Sequence, residues 1–140
     1  MRIRITSMDE KQLAVCLANS LWGSNRNIFK EWESGDILVF CINMEIVAAA
    51  KVSGAPDVSE LPIWDNGVFP WRIPLTFTHY FYPNNRIPLS GEIRDMFFRK
   101  YGEKYGYVFL NKVIIESETA NLIMGKITSN QNDIKSLSGK

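Results

Sequence analysis

Two apolar runs joined by a three-residue reversal constrain this chain more than any other feature of its sequence. Ile37-Leu38-Val39-Phe40-Cys41-Ile42 contains no polar side chain, the pattern of a central strand covered on both faces. Asn43-Met44-Glu45 can then reverse the chain into Ile46-Val47-Ala48-Ala49-Ala50-Lys51-Val52, so a hairpin is predicted. The three alanines also favour helix, and the second strand therefore depends on its pairing partner more than on intrinsic preference.

Other segments supply elements to pack around that hairpin. Residues 2 to 6 alternate, with Ile3 and Ile5 on one face and Arg2, Arg4 and Thr6 on the other, which predicts a strand. Ser7 and Glu10 have capping-box spacing, and Leu13, Cys16, Leu17 and Leu21 follow at helical intervals, so a helix is expected over residues 8 to 20. Asn19 to Asn25 should break it with a loop that carries Trp22, and Ser34-Gly35-Asp36 makes the turn into the hairpin. Gly54, Pro56, Pro62, Gly67 and Pro70 mark residues 53 to 71 as a long irregular loop. Loops of that length in compact domains are usually functional or disordered, and Leu61, Ile63, Trp64, Val68, Phe69 and Trp71 favour function here.

Arg72 to Phe81 returns to strand alternation, with Pro74 implying an edge or a bulge. Ser90 can cap a helix running to about Lys104, with Ile93, Met96, Phe97 and Tyr101 inward. Tyr107 to Ile115 reads as another strand and Ser117 to about Gly125 as a short helix. From Ile127 the sequence turns polar, so residues 1–127 are expected to form the domain and 128–140 a frayed tail or linker. The order gives a mixed, mostly antiparallel α+β fold.

With 140 residues, 46% hydrophobic and 22% charged, one core is expected. The alternating start lacks a signal-peptide core, so a cytoplasmic setting is expected. Cys16 and Cys41 lie in separate apolar stretches without CxxC spacing, which predicts buried free thiols and no metal. A formal charge of +1 disfavours a non-specific nucleic-acid binder and permits a reader built on one pocket.

Enzyme templates fail in turn: the chain has no GxxxxGK[ST], GxGxxG, GxSxG or HExxH. Its single histidine, His79, falls in an alternating strand, and Asp57, Glu60 and Asp65 are loop carboxylates without a spaced partner. No catalytic residue, cofactor or metal is expected. Trp22 and Trp64 stand out instead, each among breakers and polar residues. They either roof the core or form a stacking pocket, in which indoles gripping a base supply about 1–3 kcal/mol per base stacked. Trp32 and Trp71 read as core or rim.

Leu21-Trp22-Gly23-Ser24-Asn25, Trp32-Glu33-Ser34-Gly35-Asp36-Ile37-Leu38-Val39-Phe40 and Ile46 to Val52 together resemble the pattern of EVE domains. In those domains a VWG-type loop precedes a PGD turn, a hydrophobic strand and an I-x-G-x-x-x-V strand; Ala48 stands here at the usual glycine. Phe69-Pro70-Trp71-Arg72-Ile73 is similar to their YPYRV segment. The sister YTH domains share the architecture, and the resemblance covers roughly residues 2 to 82. It implies a PUA-like curved mixed sheet or barrel flanked by helices, and a non-catalytic reader that flips a methylated base into an aromatic cage. Trp22 and Trp64 match the cage tryptophans. Gly23 and Ser24, with Ser7, Met8 and Asp9, fall where the family meets the base edge, although no asparagine occurs at 7 to 9 as in YTH domains. Arg26, Lys30, Lys51 and Arg72 would contact phosphates. N6-methyladenine is the favoured base. DNA is favoured over RNA, because such modules occur as targeting domains of McrB-type, modification-dependent restriction systems. A YTH-like reader of methylated RNA, a small nucleic-acid-modifying enzyme and a protein-interaction module using the aromatic loops are the alternatives.

Overall fold

The hairpin read from the two apolar runs forms the middle of the sheet. The computed structural model describes residues 2–130, and in it β3 (Ile37–Ile42) and β4 (Glu45–Val52) pair antiparallel around an Asn43-Met44 turn in which both residues have positive φ. Alternate residues of β3 serve opposite sides. Val39 and Cys41 enter one buried cluster with Ile3, Ile5, Ile93 and Phe97, whereas Leu38, Phe40 and Ile42 enter another with Leu13, Cys16 and Trp64. A strand that feeds two cores has no side chain to spare for water, hence the unbroken apolar run.

β1 (Ile3–Ser7) lies parallel to β3, β6 (Trp71–Tyr80) antiparallel to β4, and β2 (Leu21–Ser24) antiparallel to β6, giving the order β1-β3-β4-β6-β2. Two short strands join the sheet: β5 (Asp57–Val58) pairs β6, and β7 (Ile87–Pro88) pairs β4. Register shifts at Phe40/Cys41 and Ala49/Ala50 are the bulges at which the sheet curls. α1 (Glu10–Asn19) lies with the Leu38 side, while α2 (Glu92–Tyr101), α3 (Gly106–Leu110) and α4 (Ser117–Ser129) contribute Ile93, Phe97, Val108, Ile123 and Ile127 to the Val39 side. The result is the expected α+β fold, a curled mixed sheet flanked by helices. No helix among the described residues is long and apolar enough to cross a membrane.

Several elements depart from expectation, through strand pairing, helix capping or packing. Trp22 is in β2 opposite Ile73, not in a loop, because β6 offers it an open edge. α1 starts at Glu10, capped by a reciprocal Asp9–Gln12 box instead of Ser7 and Glu10. α2 is capped by Gly91, at φ +87°, without a side-chain hydrogen bond from Ser90, and it ends at Gly102 short of Lys104.

The segment Tyr107–Ile115 is not a strand. Its first part is α3, because a helical turn brings Tyr105 and Phe109 within 5.4 and 5.5 Å of the Phe97 ring, and that packing overrides β propensity. Past α3, Ile115 bonds to the sheet, its N–H donating to the Ile3 carbonyl. α4 continues past Gly125 to Ser129 and buries Ile127 completely, so the polar turn in sequence begins inside a helix. Residues 131–140, most of the expected tail, lie outside the described residues.

Cys16 and Cys41 are both buried free thiols, as expected. The polar face of β1 is also buried: Arg4 and Asp36 are each 3% exposed and joined at 2.7 Å.

Candidate functional site

The end of β1, the first turns of α1, β2, the loop before β6 and the link after α3 converge on one cavity of about 170 Å³. Trp22 and Gly23 reach it from β2, Thr6, Ser7 and Met8 from the end of β1, and Gln12 and Cys16 from α1; Trp64, Phe69 and Lys112 complete it. Apolar cavities of about 150 Å³ accept a benzene-sized ring, so this one has room for one small planar group. The two indoles, distant in the chain, therefore line the same space. They differ in exposure: Trp22 is half-buried, whereas Trp64, at 7% exposed, also belongs to the core cluster.

Each ring is braced by neighbours. Trp22 stacks on Trp32 at 5.8 Å with 9° between the planes and meets Phe29 edge-on at 5.7 Å. Trp64 meets Phe69 edge-on at 5.3 Å, and the Arg72 guanidinium lies 5.3 Å from its ring centre. Gly23 is what permits this closeness, since a Cβ there would stand 2.7 Å from Trp64 Cη2 and 3.0 Å from the Phe69 carbonyl oxygen. Phe69 and Lys112 both hold positive φ, +48° and +52°, a conformation costing about 1–3 kcal/mol in non-glycine residues and concentrated at ligand sites.

Lys112 is a lining residue that sequence reasoning missed. Its Nζ lies 5.5 Å from the Trp22 ring centre and donates to the carbonyls of Phe109 and Leu110 at 2.7 and 3.3 Å. Burial pushes its pKa below the ordinary lysine value, and the positive charge of Arg26 adds to the effect. Read as strand, residues 107–115 hid it; Asn111-Lys112 between apolar neighbours was the available signal for a turn. Cys16 offers no chemistry in exchange, because burial raises its thiol to about 12, opposed by hydrogen bonding with Trp64, and a protonated thiol is a poor nucleophile.

The predicted contacts divide. Trp22, Gly23, Trp64, Ser7 and Met8 line the cavity together. Ser24 and Arg26 border the adjoining hollow with Trp22, Asn25 and Lys112, and the Ser24 hydroxyl accepts from the Arg26 N–H at 3.2 Å. Lys30 lies further along, beside Trp32 and Asn111. Asp9 lies outside the cavity lining, and its carboxylate caps α1. Lys51 projects from β4 between Ile37 and Thr76, also away from the cavity lining. Arg72 is 6% exposed and turned inward, donating to the backbone carbonyls of Leu61, Val68 and Phe69; it organises the loop where a phosphate contact was expected.

His79 is paired opposite Ala49 in β6, and burial lowers its pKa. Among the described residues no cluster of His, Cys, Asp or Glu could hold a metal ion.

No family model and no curated protein matches the chain. Solved structures do match it in shape. The Mmi1 YTH domain, solved with RNA, superimposes with a TM-score of 0.66 at 14% identity, over 90% of this chain and 80% of that one. The YTH domain of Zygosaccharomyces rouxii MRB1, in complex with N6-methyladenosine RNA, gives 0.62 at 10% identity over 95% and 90%. The fold is that of a YTH domain. The Pho92 YTH domain in complex with m6A gives 0.58 at 13% identity over 90% and 82%. The likeness in shape spans 90% or more of this chain, well beyond the first 82 residues, which carry the resemblance in sequence.

Proposed function

We propose that this YTH-type domain is a non-catalytic reader that holds an N6-methylated adenine of single-stranded RNA between Trp22 and Trp64. The observation that carries the reading is the shared cavity: two indoles from distant segments line one space fit for a single ring, together with Ser7, Met8 and Gly23. Indole faces supply stacking while a buried methyl adds roughly 1 kcal/mol that the unmethylated base cannot recover. RNA replaces DNA as the preferred polymer, because the solved neighbours named above carry RNA or m6A; a DNA-targeting role in a restriction system rests on the resemblance in sequence alone. An unpaired base needs no flipping from a duplex, which suits a chain of 140 residues with a formal net charge of +1. The decisive experiment is competition among matched oligonucleotides carrying adenine, N6-methyladenine, cytosine or 5-methylcytosine, as RNA and DNA, single- and double-stranded. Tightest binding of single-stranded methylated RNA is expected. Equal affinity for methylated and unmethylated strands would sink the reading.

Gly23→Ala should reduce binding of the methylated strand tenfold or more, because the rigid, buried Trp64 indole must move to admit the new methyl. Retention of wild-type affinity would show that the indole is not confined there.

Lys112 links binding to pH. Its amine is partly deprotonated in the fold at pH values where the unfolded chain still holds the proton, so folding stability rises with pH between the depressed folded value and the ordinary one. A nearby phosphate acts oppositely, favouring the charged amine. Affinity for RNA should therefore weaken as pH rises through the folded pKa of Lys112, and Lys112→Met should flatten that profile while lowering the salt slope by about one. Identical profiles for both proteins would exclude the amine from the interface.

A further inference from the structure

Behind the cavity, a continuous line of contacts runs from Trp22 to a buried carboxylate. Trp22 stacks on Trp32, Phe29 closes edge-on against both rings at 5.7 and 4.8 Å, and the Arg4 guanidinium carbon lies 4.5 Å from the Trp32 ring centre. Arg4 is in turn fixed by Asp36, which accepts from Arg4 Nη1 at 2.7 Å, from Arg2 Nε at 2.8 Å and from the Glu33 N–H at 3.0 Å. Burial opposes the charge on Asp36, yet these donors outweigh it and hold its carboxyl below the ordinary range. None of Asp36, Arg4 and Trp32 lines the cavity.

We propose that Arg4 and Trp32 are positioning residues, through which Asp36 fixes the plane of Trp22 and so sets how sharply the cavity separates methylated from unmethylated base. The proposal rests on the reader function above and deepens it. A cage distinguishes one methyl group only if its walls hold their spacing, since a wall free to tilt closes equally well on either base. Trp22 is the more exposed of the two walls: it packs against the margin of the Leu38-side core, and its ring is braced by Phe29 and Trp32. A flat guanidinium on an indole face locks that brace, and a lysine ammonium, which keeps the charge on Asp36 but lacks the plane, does not.

Arg4→Lys, Trp32→Leu and Trp32→Phe test this in the full chain. Two readouts are needed: the ratio of dissociation constants for adenine and N6-methyladenine RNA, and the Trp22 indole N–H resonance, identified by its loss in Trp22→Phe. Arg4→Lys and Trp32→Leu are expected to lower the ratio threefold or more and to move the Trp22 resonance, whereas Trp32→Phe, still flat and aromatic, should keep most of the ratio. A purely structural contribution would reduce the folded fraction and weaken both RNAs together, leaving the ratio unchanged; that outcome in folded Arg4→Lys overturns the proposal. Should Trp32→Leu fail to fold, Arg4→Lys and Trp32→Phe decide alone. Should the wild type show no preference for methylated RNA, the reader function fails. The resonance then decides the positioning claim by itself, with an unmoved Trp22 signal in Arg4→Lys overturning it.

Discussion

Trp22→Ala is expected to weaken binding of N6-methyladenosine RNA by roughly five- to 150-fold, the equivalent of about 1–3 kcal/mol of lost stacking on one base. The ratio of methylated to unmethylated affinity should collapse toward one, because a cavity that lacks one wall no longer confines a methyl group. Trp22 is the right ring to remove. Half-buried, it contributes to the cavity and to the Phe29–Trp32 cluster, so stability should fall only modestly. Trp64 is buried in the core cluster, and Trp64→Ala would cost about 3–5 kcal/mol in folding alone, mixing lost binding with lost fold. Titration of both RNAs against Trp22→Ala, with a thermal melt as control, checks the expectation. Unchanged methyl preference in a folded Trp22→Ala protein would show that the base does not lie against this ring.

How far the sequence discloses this arrangement depends on which residues are asked. β3, β4 and β6 are legible because their side-chain pattern is decided by strand geometry: the unbroken run of β3 feeds two cores and the alternation of β6 feeds one side. α3 is not, because Tyr107-Val108-Phe109 has β character locally and becomes helical only when Phe97 and Tyr105 are near. That misreading also conceals Lys112, whose place beside Trp22 comes from the turn after α3.

At the site the tryptophans are visible from their breaker-rich surroundings. Their partners are not: Gln12 and Cys16 look like ordinary helix residues until the fold swings α1 over the cavity. Charge misleads most. Arg72 reads as a phosphate ligand and Arg4 as part of the polar face of β1, yet both guanidiniums are turned inward, one donating to backbone carbonyls and the other pairing with a carboxylate, a destination that depends on burial and not on residue type.

Arg72→Met should destabilise the protein by about 2–4 kcal/mol, with the midpoint of chemical denaturation shifted accordingly. The guanidinium bonds the carbonyls of Leu61, Val68 and Phe69, which bracket Trp64 on both sides, and lies 5.3 Å from the Trp64 ring centre. Methionine preserves much of the buried stem but donates nothing, so three carbonyls must find water or open the loop. Either route loosens Trp64, and methyl preference should be lost in the fraction that remains folded. Arg72→Lys provides the control: it keeps one charge but lacks the planar fork that reaches several acceptors at once, and should fall between the two. A direct phosphate contact predicts a different pattern, with stability unchanged, binding of methylated and unmethylated RNA weakened equally, and the salt slope reduced by about one. Stability within about 0.5 kcal/mol of wild type would reject the loop-clamp role, since surface substitutions away from such features fall in that range.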